Sequence, residues 1–533
     1  NFWYFTKSKQ PIHLRGTVMD KNNQTVLSFA SISGKKVQVD FDGGNVTSDG
    51  GALLLRWVES GLGVVRRLEA AMRDRRHPSY VDHALGDLLR QRVFQMACGY
   101  EDANDSNTLR VDPTFKVAVD RLPLSGADLA SQPTMSRLEN SVSRPDLYRM
   151  ARALVDTFIA SYEKPPQAII LDLDDTDDPT HGTQQRSLFN GYYDEKCYLP
   201  LHIYEGQSGK LITTILRPGC RPTGAQIVSL LKRVVAYLRK HWPQVQIFLR
   251  GDSHFSAPEV HDFCAEQAIR FALGQAGNTR LDALAQPLLA QAHHLHKAQR
   301  QPVRLFTSFT YQAHTWSTPQ RIVCKVEVSA QGPNVRFVST NLRSSQPSFI
   351  YGTIYCARGR MEGFIKNHKT FLHSDRTSCH RFEANQFRLL LHSAAYVLLH
   401  TLAEKGLPNT PWRHAYFDTI QKRLLKVGRG CGRCVPRSNS TFPPRFPSRR
   451  SMSASWRTWP APFHSVRRDA APTHPTPESR EPGHPRESSV PGKVNRRLLH
   501  PETTPQEMIP PGESFQGATH PSSGSLGGLK GGV

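Results

Sequence analysis

The sequence predicts an α/β protein, on three observations. From residue 167 to residue 274, apolar runs of strand length alternate with stretches of helical period. Acidic residues stand at or just past the ends of those runs, where open sheets of this class place their chemistry. A helical pattern precedes this layer, and strand-like stretches separated by Gly, Pro and Ser follow it as a β-rich insertion.

In chain order, Lys35 to Asp42 alternates like a strand. Helix patterns follow at Ala52–Trp57 and its continuation, Gly63–Met72, Asp82–Cys98, Asp128–Ala130 leading past a turn to Met135–Asn140, and Asp146–Tyr162. Ser136 and Glu139 have capping-box spacing. Residues 126–140 fit a helix-turn-helix with its turn at Gln132-Pro133-Thr134 and Ser136, Arg137 and Asn140 facing DNA; an ordinary helical hairpin is the alternative. Pro165-Pro166 closes this region. The apolar strand from Gln167 then runs into the acids Asp172, Asp174, Asp175, Asp177 and Asp178. Strand patterns recur at Tyr198–Tyr204 and Lys210–Leu216, then helix Gly224–Trp242, strand Gln246–Arg250, helix Ala257–Gln267 and strand Ile269–Gly274. Val303–Tyr311, Arg321–Val328 and Asn334–Thr340 are the strands of the insertion, and a helix covers His380–Glu404.

The expected layout is therefore an extension with one strand over 1–45, a helical region over 46–163, a first core segment over 164–300, the β-rich insertion over 301–346, final core helices over 347–405, and a linker with a disordered tail over 406–533. Periodicity disappears after about Val427, and close to half of the 38 prolines lie beyond it, so that stretch cannot bury enough apolar surface to offset its ordering entropy. The change is abrupt enough to read as a frameshifted or fused reading frame. The first methionine is Met19, and residues 1–18 read as upstream sequence.

Over 533 residues the net charge is +23 and the pI about 9.8, which points to a polyanionic partner, most simply nucleic acid. The start of the chain has no basic segment followed by a long apolar one, so no secretory signal is expected. The most apolar helical run, Leu389 to Leu402, is short and carries His392 and His400; it reads as a buried helix, not a membrane span. Nine scattered cysteines suit a reduced, cytosolic protein. Cys431-Gly-Arg-Cys434 has no second pair nearby to complete a zinc site.

The stretch Ile354 to Leu372 concentrates the chemistry. Wound as a helix, it brings Tyr355, Arg358, Glu362, Lys366 and Lys369 within an arc of roughly 80°. One carboxylate stands in a row of cations with a phenol at one end. The arrangement reads either as a solvated ion-paired face or as a metal-binding glutamate among phosphate-binding groups. Gly359 and Gly363 flank it and leave room for a polymer backbone to approach.

Two further acids complete a possible set: one in the Asp172–Asp178 cluster, with Asp174 preferred over Asp172 or Asp175, and Asp252. Three carboxylates without His or Cys favour hard divalent cations, Mg²⁺ or Mn²⁺. Asp172-Leu-Asp174-Asp-Thr176 also fits the D-x-D-x-T of haloacid-dehalogenase-type phosphatases, but Ser256 stands where their late second acid is expected. An EF-hand loop fails at Asp177, where Gly is required, and at Thr183, where Glu is required.

Tyr355, Arg358, Glu362 and Lys369 match Y-x-x-R-x-x-x-E-x6-K at every position. With Asp174-x-Thr176, Arg250-Gly-Asp252-Ser, His181-Gly-Thr-Gln184, Phe189-Asn-Gly-Tyr-Tyr193 and Leu216-Arg-Pro-Gly219, the chain from about 35 to 427 resembles bacterial insertion-sequence DDE transposases of the YREK-signature group. The resemblance implies an RNase H-like core interrupted by the β-rich insertion. It implies that Asp174, Asp252 and Glu362 are catalytic and hold the metals, and that the helical region binds DNA. DNA contacts are expected from Tyr355, Arg358, Lys366, Lys369 and Arg250. Trp316, the only tryptophan of the insertion, is the candidate for stacking on a base, against a buried core role. The implied activity is metal-dependent cleavage and strand transfer at terminal inverted repeats, by a homodimer on double-stranded DNA in the bacterial cytoplasm at the nucleoid, with no membrane. The alternatives are a defective copy that only binds DNA and a structure-specific nuclease.

Overall fold

The computed structural model describes residues 45–431, together with the backbone of strands at Val18–Met19, Thr25–Ile32 and Lys35–Val39. The expected strand from Lys35 is present and pairs antiparallel with Thr25–Ile32. The tail expected to be disordered lies outside the described residues.

The helical region contains α1 (Ala52–Leu62), α2 (Val64–Ala71), α3 (Leu85–Ala97), α4 (Gln132–Asn140) and α5 (Arg144–Ala160). Gly63 separates α1 from α2 at φ 69°, a left-handed conformation that glycine adopts without a Cβ penalty. The helix-turn-helix is not formed. Residues 126–131 are not helical, and α4 starts at Gln132 with Pro133 in its first turn. Proline there is preorganised for a helix start, so Ser136 falls inside the helix and cannot cap it. Glu139 is buried instead and accepts from Arg92 Nε at 3.1 Å. The capping box in this region belongs to Ser143 and Asp146 at the head of α5.

The strand pattern gives an eight-stranded sheet. Its first five members are β1 (Ala168–Asp175), β2 (Leu201–Glu205), β3 (Leu211–Ile215), β4 (Gln246–Gly251) and β5 (Arg270–Gln275). Their spatial order is β3-β2-β1-β4-β5; β1, β4 and β5 are parallel, and β2 and β3 run antiparallel to their neighbours. That order and direction is the RNase H-like arrangement. The expected strand Tyr198–Tyr204 is broken at Leu199-Pro200, because proline offers no amide to a ladder. The piece before the break, Glu195–Tyr198, pairs with Leu188–Asn190 in a separate hairpin.

One face of β1 is apolar: Ile169, Leu171 and Leu173 pack with Ile227, Leu231, Val235 and Leu238 of α6 (Gly224–His241). α7 (Pro258–Glu266) adds Val260 and Phe263 to the same core. The insertion does not form a separate sheet. β6 (Val303–Tyr311), β7 (Gln320–Ser329) and β8 (Gly332–Thr340) extend the core sheet in the order β5-β8-β7-β6. A helix that the sequence pattern does not announce, α8 (Thr279–Gln299), packs on β6 and β7. Only Leu281, Ala285 and Ala292 are buried along it, and Pro287 stands inside it, so its periodic signal is thin.

The stretch predicted as a helix from Ile354 begins earlier, at Pro347, and runs to Phe371. It is not a regular α-helix: its turns are wide over Ile350–Tyr355 and Asn367–Phe371 and tight over Cys356–Gly359. Such irregular turns redirect side chains that a uniform helix would align. α9 (Phe382–Thr401) is buried along most of its length and shares one core with α1 to α5. Among the described residues no helix is long and apolar enough to cross a membrane.

β1 and β4 are joined across their faces by a buried ion pair. Arg250 Nε and Nη2 each reach an oxygen of Asp172 at 2.6 Å, and the two side chains are 2% and 0% exposed. Burial raises the Asp172 carboxyl above its ordinary range, and Arg250 opposes this. Arg250→Leu is therefore expected to cost about 3–5 kcal/mol of stability by urea unfolding, because it strands a buried carboxylate. A loss below about 1 kcal/mol, the scale of an exposed pair, would contradict this reading.

Candidate catalytic site

The site is set by sheet register. β1 and β4 pair in parallel with Arg250 opposite Asp172 and Gly251 opposite Leu173. Continuing that register by one residue puts Asp252 beside Asp174 at the same end of the sheet. The irregular helix then brings Tyr355, Arg358 and Glu362 toward this end, with Ile354 O accepting from Arg250 Nη1 at 2.9 Å.

The three neighbouring aspartates of β1 are told apart by their partners. Asp172 is committed to Arg250. Gly206 makes room for that pair, since a Cβ there would lie 2.4 Å from Arg250 Nη2 and 2.5 Å from Asp172 Oδ2. Asp175 pairs with Arg217 and, at 3.3 Å, with His254 Nδ1. Burial alone would raise the Asp175 carboxyl, but His254 and Arg217 together hold it low. Among the described residues, Asp174 has one cationic partner, Arg358, at 3.2 Å. Burial pushes the Asp174 carboxyl up to about 7; Arg358 opposes this, while Asp252, Asp175 and Glu362 add to it as nearby like charges. Asp174 thus stands in an under-compensated carboxylate group. An oxygen donor set with excess negative charge suits a hard divalent cation.

Asp252 follows β4 directly and accepts from the His254 amide at 2.9 Å, which fixes the turn. One ligand atom each of Asp175, Asp252 and His254 lie within 4.8 Å of one another, close enough to hold a metal ion. Asp175 is one of the alternatives to Asp174 that the sequence left open, and His254 is outside the set expected from it. The available signal was His254 two positions after Asp252, without any indication that Asp175 would face it.

Glu362 is exposed and, among the described residues, has no ion pair; the Glu362–Lys366 pair of the ion-paired reading is absent. The Lys366 ammonium lies over the rings of Tyr416 at 5.2 Å and Phe371 at 5.7 Å. Lys369 contacts Asp177 Oδ1 at 3.0 Å and Thr176 Oγ1 at 3.4 Å, just past the end of β1. Tyr355 crosses Gly274 of β5 so closely that a Cβ there would lie 2.6 Å from the phenol oxygen and 3.0 Å from the Ser253 amide.

Two expected DNA contacts are corrected. Arg250 is buried and its guanidinium is consumed by Asp172 and Ile354 O, so it has nothing to offer a phosphate. Trp316 is 7% exposed, with its ring edge-on to His261 at 4.8 Å and Tyr311 at 5.4 Å. It fills the core of the insertion and does not present a face to a base.

Comparison with known proteins gives three findings. Residues 29–456 match the family described as transposase DDE domain group 1. No curated protein matches the sequence. A solved cryo-EM structure, the piggyBac transposase synaptic complex with hairpin DNA, is similar at a TM-score of 0.35 and 10% identity, covering 70% of this chain and 80% of that one. At that level the likeness adds nothing to the fold assignment, which rests on strand order.

The Asp175–His254 pair makes a checkable statement about charge. The hydrogen bond to Asp175 raises the His254 imidazole above its ordinary 6.5, against the effect of burial. The charged imidazole thus stabilises the fold below its unfolded value, and this contribution is lost as pH rises through the raised folded value. In metal-free buffer, a histidine titration by NMR is expected to place His254 above 6.5, and Asp175→Asn to bring it down. An unchanged midpoint in the variant would contradict the pair.

Proposed function

The chain belongs to the group-1 transposase DDE family, and from that premise we propose that it binds the terminal inverted repeats of an insertion sequence and moves that element by cut-and-paste strand cleavage and strand transfer. The observation that carries this reading is the carboxylate group at the end of β1 and β4, where Asp252, Asp175 and Glu362 act on Asp174 as like charges and, among the described residues, Arg358 is its one cationic partner. The proposed ligand set for Mg²⁺, or Mn²⁺ in its place, is Asp174, Asp252 and Glu362. When bound, the metal would lower the pKa of an attacking hydroxyl and stabilise a leaving oxygen.

The protein's own groups bind and orient. Arg358 offers a fork to a phosphate, and Lys369 a point charge at the end of β1. The Tyr355 phenol, held close over Gly274, offers a hydroxyl donor. Water attacks the phosphorus at the element's end, the P–O3′ bond breaks, and a 3′-hydroxyl is freed. That hydroxyl then attacks a phosphorus of the opposite strand or of target DNA: a new P–O bond forms, the attacked strand's own P–O3′ bond breaks, and its 3′-oxygen leaves as a new 3′-hydroxyl. In this reading two copies act together, one at each end, on duplex DNA of the bacterial nucleoid.

The test uses a labelled duplex carrying the element's terminal repeat. With Mg²⁺, cleavage at the repeat boundary and joining to a second duplex are expected, and a chelator abolishes both. Asp174→Asn and Glu362→Ala are expected to lower cleavage by roughly 10²–10³-fold or more, the scale of losing one preorganised charge-stabilising group, while repeat binding persists. Gly274→Ala should lower cleavage with repeat binding kept, because it displaces Tyr355. Cleavage without joining would favour a nuclease. Binding without cleavage in a folded wild-type chain would leave only a DNA-binding protein.

A further inference from the structure

The core sheet has two edges, and they differ. At one, β3 is buried under helices: Thr213 Oγ1 donates to Ala151 O of α5 at 3.2 Å, and Thr214 Oγ1 meets Ser393 Oγ of α9 at 2.6 Å. At the other, β6 ends the sheet. Of its nine residues only Val303 and Tyr311 are buried, and among the described residues no backbone hydrogen bond reaches its outer side. An open strand edge presents a row of unpaired N–H and C=O groups, which proteins ordinarily blunt with charge, proline or a bulge. β6 reads Val-Arg-Leu-Phe-Thr-Ser-Phe-Thr-Tyr and pairs with β7 over nine successive positions without a break. Its one charged residue, Arg304, lies next to its start and is turned to Glu327 of β7 at 2.6 Å.

Both faces of the strand are already packed, so what stands open is the edge itself. Val303, Leu305, Phe309 and Tyr311 lie on the α8 side, in one cluster with Leu281 and Ala285. On the other side the Phe306 ring meets Tyr351 of the irregular helix at 5.8 Å. A packed strand is held in an extended, regular form, ready to accept a further ladder.

The strand is also complementary to itself. Turned end for end about Thr307, its middle residue, it sets Thr307 opposite Thr307, Leu305 opposite Phe309 and Val303 opposite Tyr311 on the α8 side. On the other side it sets Phe306 opposite Ser308 and Arg304 opposite Thr310. Thr–Thr and aromatic–β-branched pairs are among those that stabilise an antiparallel ladder, and no like charges meet. Directly opposite residues share a face, so the α8 side of one sheet continues as the α8 side of the next. We propose that β6 pairs antiparallel with β6 of a second copy, centred on Thr307, and joins two eight-stranded sheets into one. A two-fold join uses up both open edges, and β3 is buried, so assembly closes at two copies and does not run on into fibres. The pairing goes beyond the strand-cleavage reading and needs neither DNA nor metal.

The experiment uses the full chain without DNA or metal. Sedimentation equilibrium at tens of micromolar is expected to give a dimer. Thr307→Lys and Thr307→Asp each place like charges face to face at the axis and are expected to weaken self-association by about tenfold. Mixed together, the two variants are expected to recover it, which misfolded chains could not do. Thr307→Cys, once oxidised, should give a disulfide between copies, read by mass spectrometry as a peptide joined to itself through residue 307. Arg304→Cys, set about 20 Å from its own mate in this register, should not. A monomeric wild type would overturn the proposal, and so would charge variants that stay dimeric, which would put the contact elsewhere. Charge variants that mixing does not rescue, or a missing 307–307 disulfide, would also sink it. None of these results bears on cleavage, and a chain that fails to cut DNA leaves the pairing standing.

Discussion

The arrangement depends on one buried ion pair. Arg250 grips Asp172 across β1 and β4 and also donates to Ile354 O on the irregular helix. These are the three elements that carry Asp174, Asp252 and Glu362. A guanidinium has five donors in a rigid fork, which lets one side chain serve two partners in different directions. The cost of burying both charges is large, and it is offset only because the pair is bidentate and satisfied. The pair therefore supplies geometry more than net stability: it fixes the register that puts two carboxylates side by side and anchors the helix that supplies the third.

Around that anchor, close packing does the positioning. Gly206 leaves space for the ion pair and Gly274 leaves space for the Tyr355 phenol. The insertion adds its strands to the edge of the core sheet at β5, so the sheet that carries the acids continues through the strands of the insertion. On the other side, α9 shares its core with the helices before β1. The helical region is thus built into the body that holds the site, which links the placement of any DNA bound there to the placement of the carboxylates.

Much of this was legible in sequence. The alternation of strand and helix patterns between 167 and 274 yields the core layer, because these elements are long and their apolar periods are strong. The strand-end position of Asp174 and Asp252 was readable for the same reason. Partner choice was not. Arg250 looked like a DNA contact because sequence shows its charge and not the buried Asp172 opposite it. Trp316 looked available because nothing in sequence reveals His261 and Tyr311 around its ring. α8 carries too few buried apolar positions to signal itself, and Pro133 moved a helix start that Ser136 and Glu139 had seemed to mark. The uniform wheel drawn for 354–372 placed Lys366 with the other cations, but the irregular turns leave it over Tyr416 and Phe371. His254 and Asp175 met only through tertiary structure.

The central claim is that Asp174, Asp252 and Glu362 converge on a divalent cation. Fe²⁺ can take the place of Mg²⁺ at an oxygen-liganded site and, with ascorbate and peroxide, cut the nearby polypeptide. Mapping those cuts by mass spectrometry tests convergence without requiring DNA or activity. The account predicts backbone cleavage clustered near residues 174, 252 and 362 together, competed away by excess Mg²⁺ and weakened by Glu362→Ala. Cuts confined to one of these segments, or a pattern that Mg²⁺ does not compete, would contradict it.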